Sequence, residues 1–310
     1  MRKVRGLRMS SKFQLKFVFD SIVGYTALAL LWIARLADRK KTANCFALVI
    51  RNVGPWLPQH RRGCANLRAA YPEKSDKEIS DILLEVWDNL GRFGAEVAQL
   101  DRIRIGSPEH QDIRDVMFDP QSLEQLNQIR QSAGPGIYFA AHIANWELPA
   151  VVPPLVGLDS YVLYRRPNNH IIDNAIVSTR ANCMGALIPT GIDAPIRLAN
   201  ALKRGGHVGM LVDQRYGRGV DVTFFGRTCR ASALLAQLAR RFECPVRGLR
   251  VVRLQDRNMF RGELTGPIDL PRGPDGAIDV QGATQAITSI VEQWVRQNPG
   301  QWLWIHNRWR

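Results

Sequence analysis

The feature that most constrains the fold is an alternation of short apolar runs with helical segments from about residue 101 onward. Apolar runs bounded by turn residues predict buried strands, whereas apolar residues spaced by three or four predict helices. The predicted strands are 136–141, 160–164, 186–189, 207–212, 246–254 and 260–264. The predicted helices lie near 121–132, 146–152, 171–184, 194–204, 231–242 and 280–297. This alternation predicts an α/β fold with a mostly parallel sheet flanked by helices.

Residues 42–100 precede this alternation and predict helices. Ser75-Asp76-Lys77-Glu78 has the pattern of a capping box, and apolar residues at helical spacing follow it. We therefore divide the chain into an N-terminal anchor, residues 1–41, and one domain, residues 42–310. Within that domain, 42–100 form a helical lead-in and 101–310 the α/β core.

Residues 1–41 contain an uncharged run, Ser21 to Ala34, between two basic flanks. Basic flanks suit anionic headgroups, so the segment predicts a membrane-associated helix. The run is shorter than the roughly 20 apolar residues of a full span, although residues 17–19 extend it. Insertion into one leaflet, a signal peptide and a buried core helix are the alternatives. Because both flanks are basic, charge does not fix an orientation.

The net charge of +14, from 42 basic and 28 acidic residues, indicates an anionic partner. Nucleic acid, anionic lipid and an acidic protein fit such a surplus. The sequence has no zinc-finger spacing or nucleic-acid motif, so we expect no nucleic acid. The five cysteines are scattered without a C-x-x-C pair, which predicts reduced thiols and no metal site. No cofactor is expected.

The first candidate site lies where the predicted strand 136–141 ends. His142 follows the strand, Asn145 is placed to cap the next helix, and Glu147 falls in its first turn. In that arrangement Glu147 holds one imidazole N–H and leaves the other ring nitrogen free to accept a proton. The alternative is a histidine that merely caps the helix.

Two further polar residues follow predicted strands: Arg166 and Asp213. The carboxyl ends of parallel strands meet at one edge, so these residues and His142 are expected to share a crevice. Arg166 is predicted to bind phosphate through its planar fork, with its neighbour Arg165 as the competing choice. Asp213 is expected to hold Arg166 or a substrate hydroxyl. A loop arginine and a turn aspartate are the alternatives.

Four segments together resemble a known family. His142-Ile143-Ala144-Asn145-Trp146-Glu147 is similar to the H-x-x-N-W-E form of the H-x4-D/E acyltransferase motif. Three segments match in order: 164–168 (Tyr-Arg-Arg-Pro-Asn), 212–217 (Val-Asp-Gln-Arg-Tyr-Gly) and 301–308 (Gln-Trp-Leu-Trp-Ile-His-Asn-Arg). The chain thus resembles the lauroyl/myristoyl (late) acyltransferases of lipid A biosynthesis, which acylate hydroxyacyl chains of a lipid A precursor.

The resemblance implies a catalytic pair, His142 as general base and Glu147. Residues expected to contact substrate are Arg166, Asp213, Asn145 and Gln214. The expected donors to the oxyanion of the tetrahedral intermediate are backbone N–H groups at the helix start or Arg166, for which phosphate binding is the competing role. Gln214 stands where many relatives have histidine, so no acid–base role is expected there. The implied partners are acyl carrier protein as donor, a lipid A precursor and anionic membrane lipids, and transfer is expected to be direct, without an acyl-enzyme. The implied location is the inner membrane, with the catalytic domain facing the cytoplasm.

Several alternatives stay open at this point. The motif also suits acylation of another membrane glycolipid or of a lysophospholipid, and the charge alone suits a non-catalytic membrane-binding protein. Phe224-Phe225 are consistent with an acyl channel or with core packing, and the C-terminal tryptophans with an interfacial belt or a packed segment. Acyl chain length depends on the depth of a channel that the sequence does not define.

Overall fold

The computed structural model describes residues 11–106, 115–132, 134–256 and 258–309. Residues 1–10, which form most of the N-terminal basic flank of the expected anchor, lie outside this part. The helices of the described part are α1 (Ser11–Leu36), α2 (Arg39–Val53), α3 (Pro58–Ala70), α4 (Asp76–Val97), α5 (Pro120–Gln131), α6 (Leu148–Leu155), α7 (His170–Ala181), α8 (Ala194–Lys203), α9 (Leu234–Phe242) and α10 (Val280–Gln297). Its strands are β1 (Val116–Phe118), β2 (Gly136–Ala140), β3 (Ser160–Tyr164), β4 (Ala186–Pro189), β5 (His207–Leu211), β6 (Val220–Phe224), β7 (Arg227–Ala231), β8 (Val246–Arg253) and β9 (Phe260–Leu264).

Seven strands form one sheet in the order β1-β9-β8-β2-β5-β3-β4. Every neighbouring pair is parallel except β8 and β9. The prediction of an α/β fold with a mostly parallel sheet is therefore confirmed. Three predicted strands match β3, β4 and β9, and the other three end one residue earlier. In the parallel sheet the central strands β2, β5 and β3 lie side by side with their carboxyl ends at one edge.

The sequence analysis missed the antiparallel hairpin of β6 and β7. Its two-residue loop is Phe225-Gly226, and both residues have positive φ, 51° and 68°. Two-residue hairpin loops favour this backbone because it matches the twist of the strands. Phe224 and Phe225 are buried and pack against the buried Trp302 and Trp304. The core-packing alternative is therefore confirmed for these aromatics, and the interfacial belt was the wrong interpretation of the two tryptophans.

The helical lead-in is built on α4, whose N terminus is fixed by the predicted capping box. The Ser75 hydroxyl accepts from the backbone N–H of Glu78, and the Glu78 carboxylate accepts from the N–H of Ser75. Behind this cap, Ile79, Leu83 and Trp87 point into the core, with each at most 2 % exposed. α4 thus connects the lead-in to the core of the α/β region.

α1 lies on the outside of the molecule and packs against α7. Asn169 donates to the carbonyl of Asp20 at 2.6 Å, and Arg35 forms two hydrogen bonds with Asp101. Of the α1 side chains that the structure describes, those at 18 and from 20 to 36, most of the apolar ones are exposed, including Trp32 at 63 %. The buried-core alternative for this segment is therefore wrong. In the described ranges no helix has the length and apolar content to cross a membrane.

Candidate active site

The centre of the site is a contact between His142 and Asp213. His142 lies just beyond the end of β2 and Asp213 just beyond the end of β5, and these strands are neighbours. His142 Nδ1 is 2.7 Å from Asp213 Oδ1, and the backbone N–H of His142 donates to Oδ2 at 3.0 Å. The indole of Trp302 also donates to Oδ2, at 2.7 Å. The prediction that His142 and Asp213 share one edge of the sheet is thus confirmed.

The charge of Asp213 decides which ring nitrogen of His142 carries the proton. Burial alone would raise the pKa of this 1 % exposed carboxyl, but the charge and hydrogen bonds of His142 outweigh burial and lower it below its usual range. An ionised carboxylate has no proton to give, so His142 Nδ1–H donates to it. Nε2 is then an acceptor, and Gln214 Nε2 lies 3.2 Å from it. The imidazole is therefore held in the tautomer that a general base requires.

Glu147 does not contact the imidazole, and the prediction that it orients His142 is wrong. α6 begins at Leu148, so Glu147 lies at the end of the turn rather than within the helix. Its carboxylate accepts two hydrogen bonds from Arg180 on α7, Nε at 2.7 Å and Nη2 at 2.6 Å. Arg180 Nη1 is buried and has no hydrogen-bond partner in the described part of the chain. Glu147 thus positions the guanidinium of Arg180, whose Nη1 group is left without a hydrogen-bond acceptor among the described residues.

Asn145 is not in a position to contact substrate, so the prediction that it binds substrate is wrong. Its side chain is fully buried, donating to Glu96 at 2.9 Å and accepting from the backbone N–H of Glu147 at 3.2 Å. This local bond stabilises a turn, a common role of asparagine side chains, instead of starting the helix. Asn145 therefore acts on the shape of the turn.

Of the two neighbouring arginines, the structure places Arg165 and not Arg166 beside the site. Both follow β3 and both are exposed, but only Arg165 lines the cavity described below. Asp213 binds the imidazole rather than Arg166, contrary to one of the two expectations. Gln214 lines the same cavity and reaches His142, so its predicted contact with substrate stays a prediction.

A cavity of about 1050 Å³ extends from this dyad along the sheet. His142 and Gln214 lie at the carboxyl ends of the strands, whereas Ser160 and His207, the first residues of β3 and β5, line its far end. Most of the wall between them is aliphatic or aromatic. Burial lowers the pKa of His207, which favours the neutral form of this ring. The arginines that line the cavity are Arg165, Arg180, Arg215 and Arg218.

Gly209, in the middle of β5, opens this cavity. It pairs with Tyr138 of β2 and Val162 of β3, and all three residues line the cavity. A Cβ atom built on Gly209 would meet nothing within 4 Å. The sequence analysis missed Gly209, as it missed Arg180, because a glycine within a strand more commonly signals a bulge or a close backbone approach.

The chain is thus an α/β protein with a histidine–carboxylate pair at the carboxyl edge of a mostly parallel sheet, beside a large and mostly apolar cavity. The chain matches the model for bacterial lipid A biosynthesis acyltransferases over residues 11–310, and it belongs to that family. The chain is therefore an acyltransferase of lipid A biosynthesis, and the family implies a lipid A precursor as its substrate. The resemblance drawn from the four sequence segments is confirmed. Among curated proteins no match to the chain is found.

Proposed function

We propose that the chain transfers a fatty acyl group from an acyl carrier protein thioester to the hydroxyl of a hydroxyacyl chain on a lipid A precursor. His142 Nε2 takes the proton of that hydroxyl as its oxygen attacks the thioester carbonyl. The C–S bond then breaks, and the proton passes from His142 to the leaving thiolate. Asp213 fixes the tautomer and stabilises the imidazolium. The observation that supports this proposal is the 2.7 Å contact between His142 Nδ1 and the buried, ionised Asp213.

A direct assay tests the reaction. The purified chain is incubated with a dodecanoyl or tetradecanoyl thioester of acyl carrier protein and a lipid A precursor. Mass spectrometry then measures the masses of the lipid products. We expect one added acyl chain per precursor, and none with His142→Ala. Acylation of a lysophospholipid instead would favour the alternative acceptor, and binding without any transfer would favour a non-catalytic membrane protein.

The Glu147–Arg180 pair is proposed to stabilise the oxyanion of the tetrahedral intermediate. Both residues line the cavity, and Glu147 occupies Nε and Nη2 of the guanidinium, which leaves Nη1 as the donor for a ligand. Donors fixed before the reaction stabilise developing charge because they need no reorganisation. Glu147 then contributes to catalysis through Arg180.

Arg180→Lys is expected to lower kcat by about a hundredfold, because lysine keeps the charge but loses the planar fork. Arg166→Lys, at an exposed site outside the cavity wall, is the matched control and is expected to retain activity. Steady-state kinetics with both substrates measures the two effects. A large loss from Arg166→Lys with none from Arg180→Lys would assign the functional guanidinium to the exposed loop.

The charge pattern supports the proposed donor and acceptor. Arg215 and Arg218 are exposed and line the cavity next to the dyad, and the chain carries a net charge of +14. Acyl carrier protein is acidic and lipid A precursors carry phosphates, so both are attracted to such a rim. No nucleic acid is proposed as a partner.

Residues 1–41 are proposed to anchor the domain of residues 42–310 in one leaflet at the cytoplasmic face of the inner membrane. Apolar side chains of α1 are exposed along the helix, among them Ile22, Trp32 and Ile33. Trp56, just after α2, is 87 % exposed. A helix with such an apolar surface next to basic residues suits the interface of an anionic bilayer.

The double variant Trp32→Glu/Ile33→Glu is expected to weaken binding to vesicles that contain anionic lipid by at least about tenfold, because two apolar side chains no longer insert. Gln121→Glu/Gln128→Glu on α5 changes the net charge equally at exposed polar positions and serves as the control. Vesicle co-sedimentation measures both. Equal weakening by the two pairs would show that charge alone drives the association.

A further inference from the structure

The backbone of the turn that carries His142 has an unfavourable conformation at one residue. Ala144 has φ of 50°, in the left-handed region that residues with a Cβ rarely adopt. Such a residue persists where surrounding contacts determine its conformation. The Ala144 N–H donates to the carbonyl of Gln301 at 2.9 Å, and its carbonyl accepts from Asn89 at 3.2 Å. The turn is thus held by contacts with distant parts of the chain.

A buried ionic group lies directly behind this turn. Glu96 of α4 is fully buried and accepts two hydrogen bonds from Arg253 at the end of β8, at 2.6 and 3.0 Å. Arg253 Nε donates to Asn89 at 2.9 Å, and Asn145 Nδ2 donates to Glu96 at 2.9 Å. We call these four residues the Glu96 network. It connects a helix, a strand end and the catalytic turn through charged and amide groups.

Stability alone is a weak reason for such a network. Taking a carboxylate and a guanidinium out of water has a large desolvation cost, and well-packed apolar residues often stabilise a protein equally well. What apolar residues cannot supply is direction, because hydrogen bonds fix both the position and the orientation of their partners. Here the direction is imposed on the side chain of Asn145, whose Oδ1 in turn accepts from the backbone N–H of Glu147.

We propose that Glu96 is a positioning residue for His142, acting through Asn145. The carboxylate of Glu96 determines that Asn145 presents its amide N–H groups inward and its oxygen to the turn. The turn then holds the backbone N–H of His142 at 3.0 Å and its Nδ1 at 2.7 Å from Asp213. This inference rests on the proposed role of His142 as general base.

Glu96→Gln is expected to lower kcat about a hundredfold with KM within about twofold of wild type, because a small displacement of a catalytic group has effects of that size. The glutamine amide places a donor against the donors of Asn145 or Arg253, so the turn loses its fixed partner. Glu263→Gln is the matched control: Glu263 pairs with Arg250 at 2.8 Å on the same sheet, away from the turn. We expect this control to keep the wild-type kcat.

Asn145→Asp alone brings two carboxylates together and is also expected to lower kcat strongly. Combined with Glu96→Gln, it restores a donor–acceptor pair between positions 96 and 145 and keeps one negative charge in the network. The double variant loses the Oε2 acceptor that Arg253 Nη2 shares with Asn145 in the wild type. The glutamine oxygen at position 96 accepts from Arg253, the glutamine amide donates to the aspartate at position 145, and the aspartate accepts from Glu147 N–H. The kcat of the double variant is therefore expected to be at least tenfold higher than that of the less active single variant. A double variant no better than the singles overturns the proposal.

A measurement that needs no turnover completes the test. In full-length protein labelled with ¹⁵N-histidine, the nitrogen shifts of His142, assigned by loss of its signals in His142→Ala, report which ring nitrogen is protonated. Wild type is expected to show the Nδ1–H form, and Glu96→Gln a mixture of both forms. An unchanged tautomer together with an unchanged kcat, even at a lower melting temperature, would make Glu96 merely structural. If wild type transfers no acyl group, the proposed function fails, but the tautomer comparison still decides the role of Glu96.

Discussion

Replacing Asp213 by asparagine is expected to lower kcat by about ten-thousandfold while KM changes little. The carboxylate accepts three hydrogen bonds, from His142 Nδ1, from the backbone N–H of His142 and from Trp302. An asparagine has the same shape but only one acceptor oxygen, and its amide directs a donor at one of these donors. The imidazole then loses the partner that keeps Nε2 unprotonated, which is why the loss falls on kcat.

Glu147→Gln is the comparison that separates the two carboxylates. Glu147 binds Arg180 and not the imidazole. The loss of kcat from Glu147→Gln is therefore expected to be at least about tenfold smaller than the loss from Asp213→Asn. Steady-state kinetics on purified variants, with folding checked by thermal unfolding, measures the ranking. A greater loss from Glu147→Gln than from Asp213→Asn would return Glu147 to the role that the sequence motif first indicated.

The sequence was sufficient to predict β2, β3, β4, β5, β8 and β9, but not β1, β6 or β7, and it predicted the edge of the sheet at which the site lies. Apolar runs flanked by turn residues define β2 and β5, and neighbouring parallel strands bring the residues after them together. That reasoning placed His142 and Asp213 at one edge without any knowledge of their contact. It failed for Arg166 because being near a strand end does not specify which of two adjacent side chains turns toward the cavity.

The sequence around Glu147 and Asn145 does not predict the hydrogen-bond partners of these two side chains. Arg180 is 33 positions from Glu147, on a helix whose docking onto the sheet depends on the whole fold. The turn that carries Asn145 and Glu147 is shaped by a left-handed alanine, Ala144, and alanine gives none of the signal that a glycine gives at such positions. Glu96 is likewise one acidic residue on an amphipathic helix until its burial is known.

Gly209→Val is expected to shift the enzyme's preference toward shorter acyl chains. On the proposed function, the acyl chain lies in the 1050 Å³ cavity and passes from His142 across Gly209 toward His207. A valine side chain there fills open space on the cavity side of β5 and suits a strand, so the fold is expected to persist. Each methylene that the valine excludes from the cavity loses about 0.8 kcal/mol of favourable burial free energy. For roughly four methylenes, kcat/KM for the longer chain falls by on the order of a hundredfold.

Competition between acyl carrier protein thioesters of different chain length, with products weighed by mass spectrometry, measures this preference directly. Val162→Ala is the reciprocal variant, because Val162 pairs with Gly209 and lines the same wall. Removing its two methyl groups enlarges the cavity, so the preference is expected to move toward longer chains. If Gly209→Val lowers kcat/KM equally for all chain lengths, the acyl chain does not lie along β5, and the cavity binds another part of the substrates.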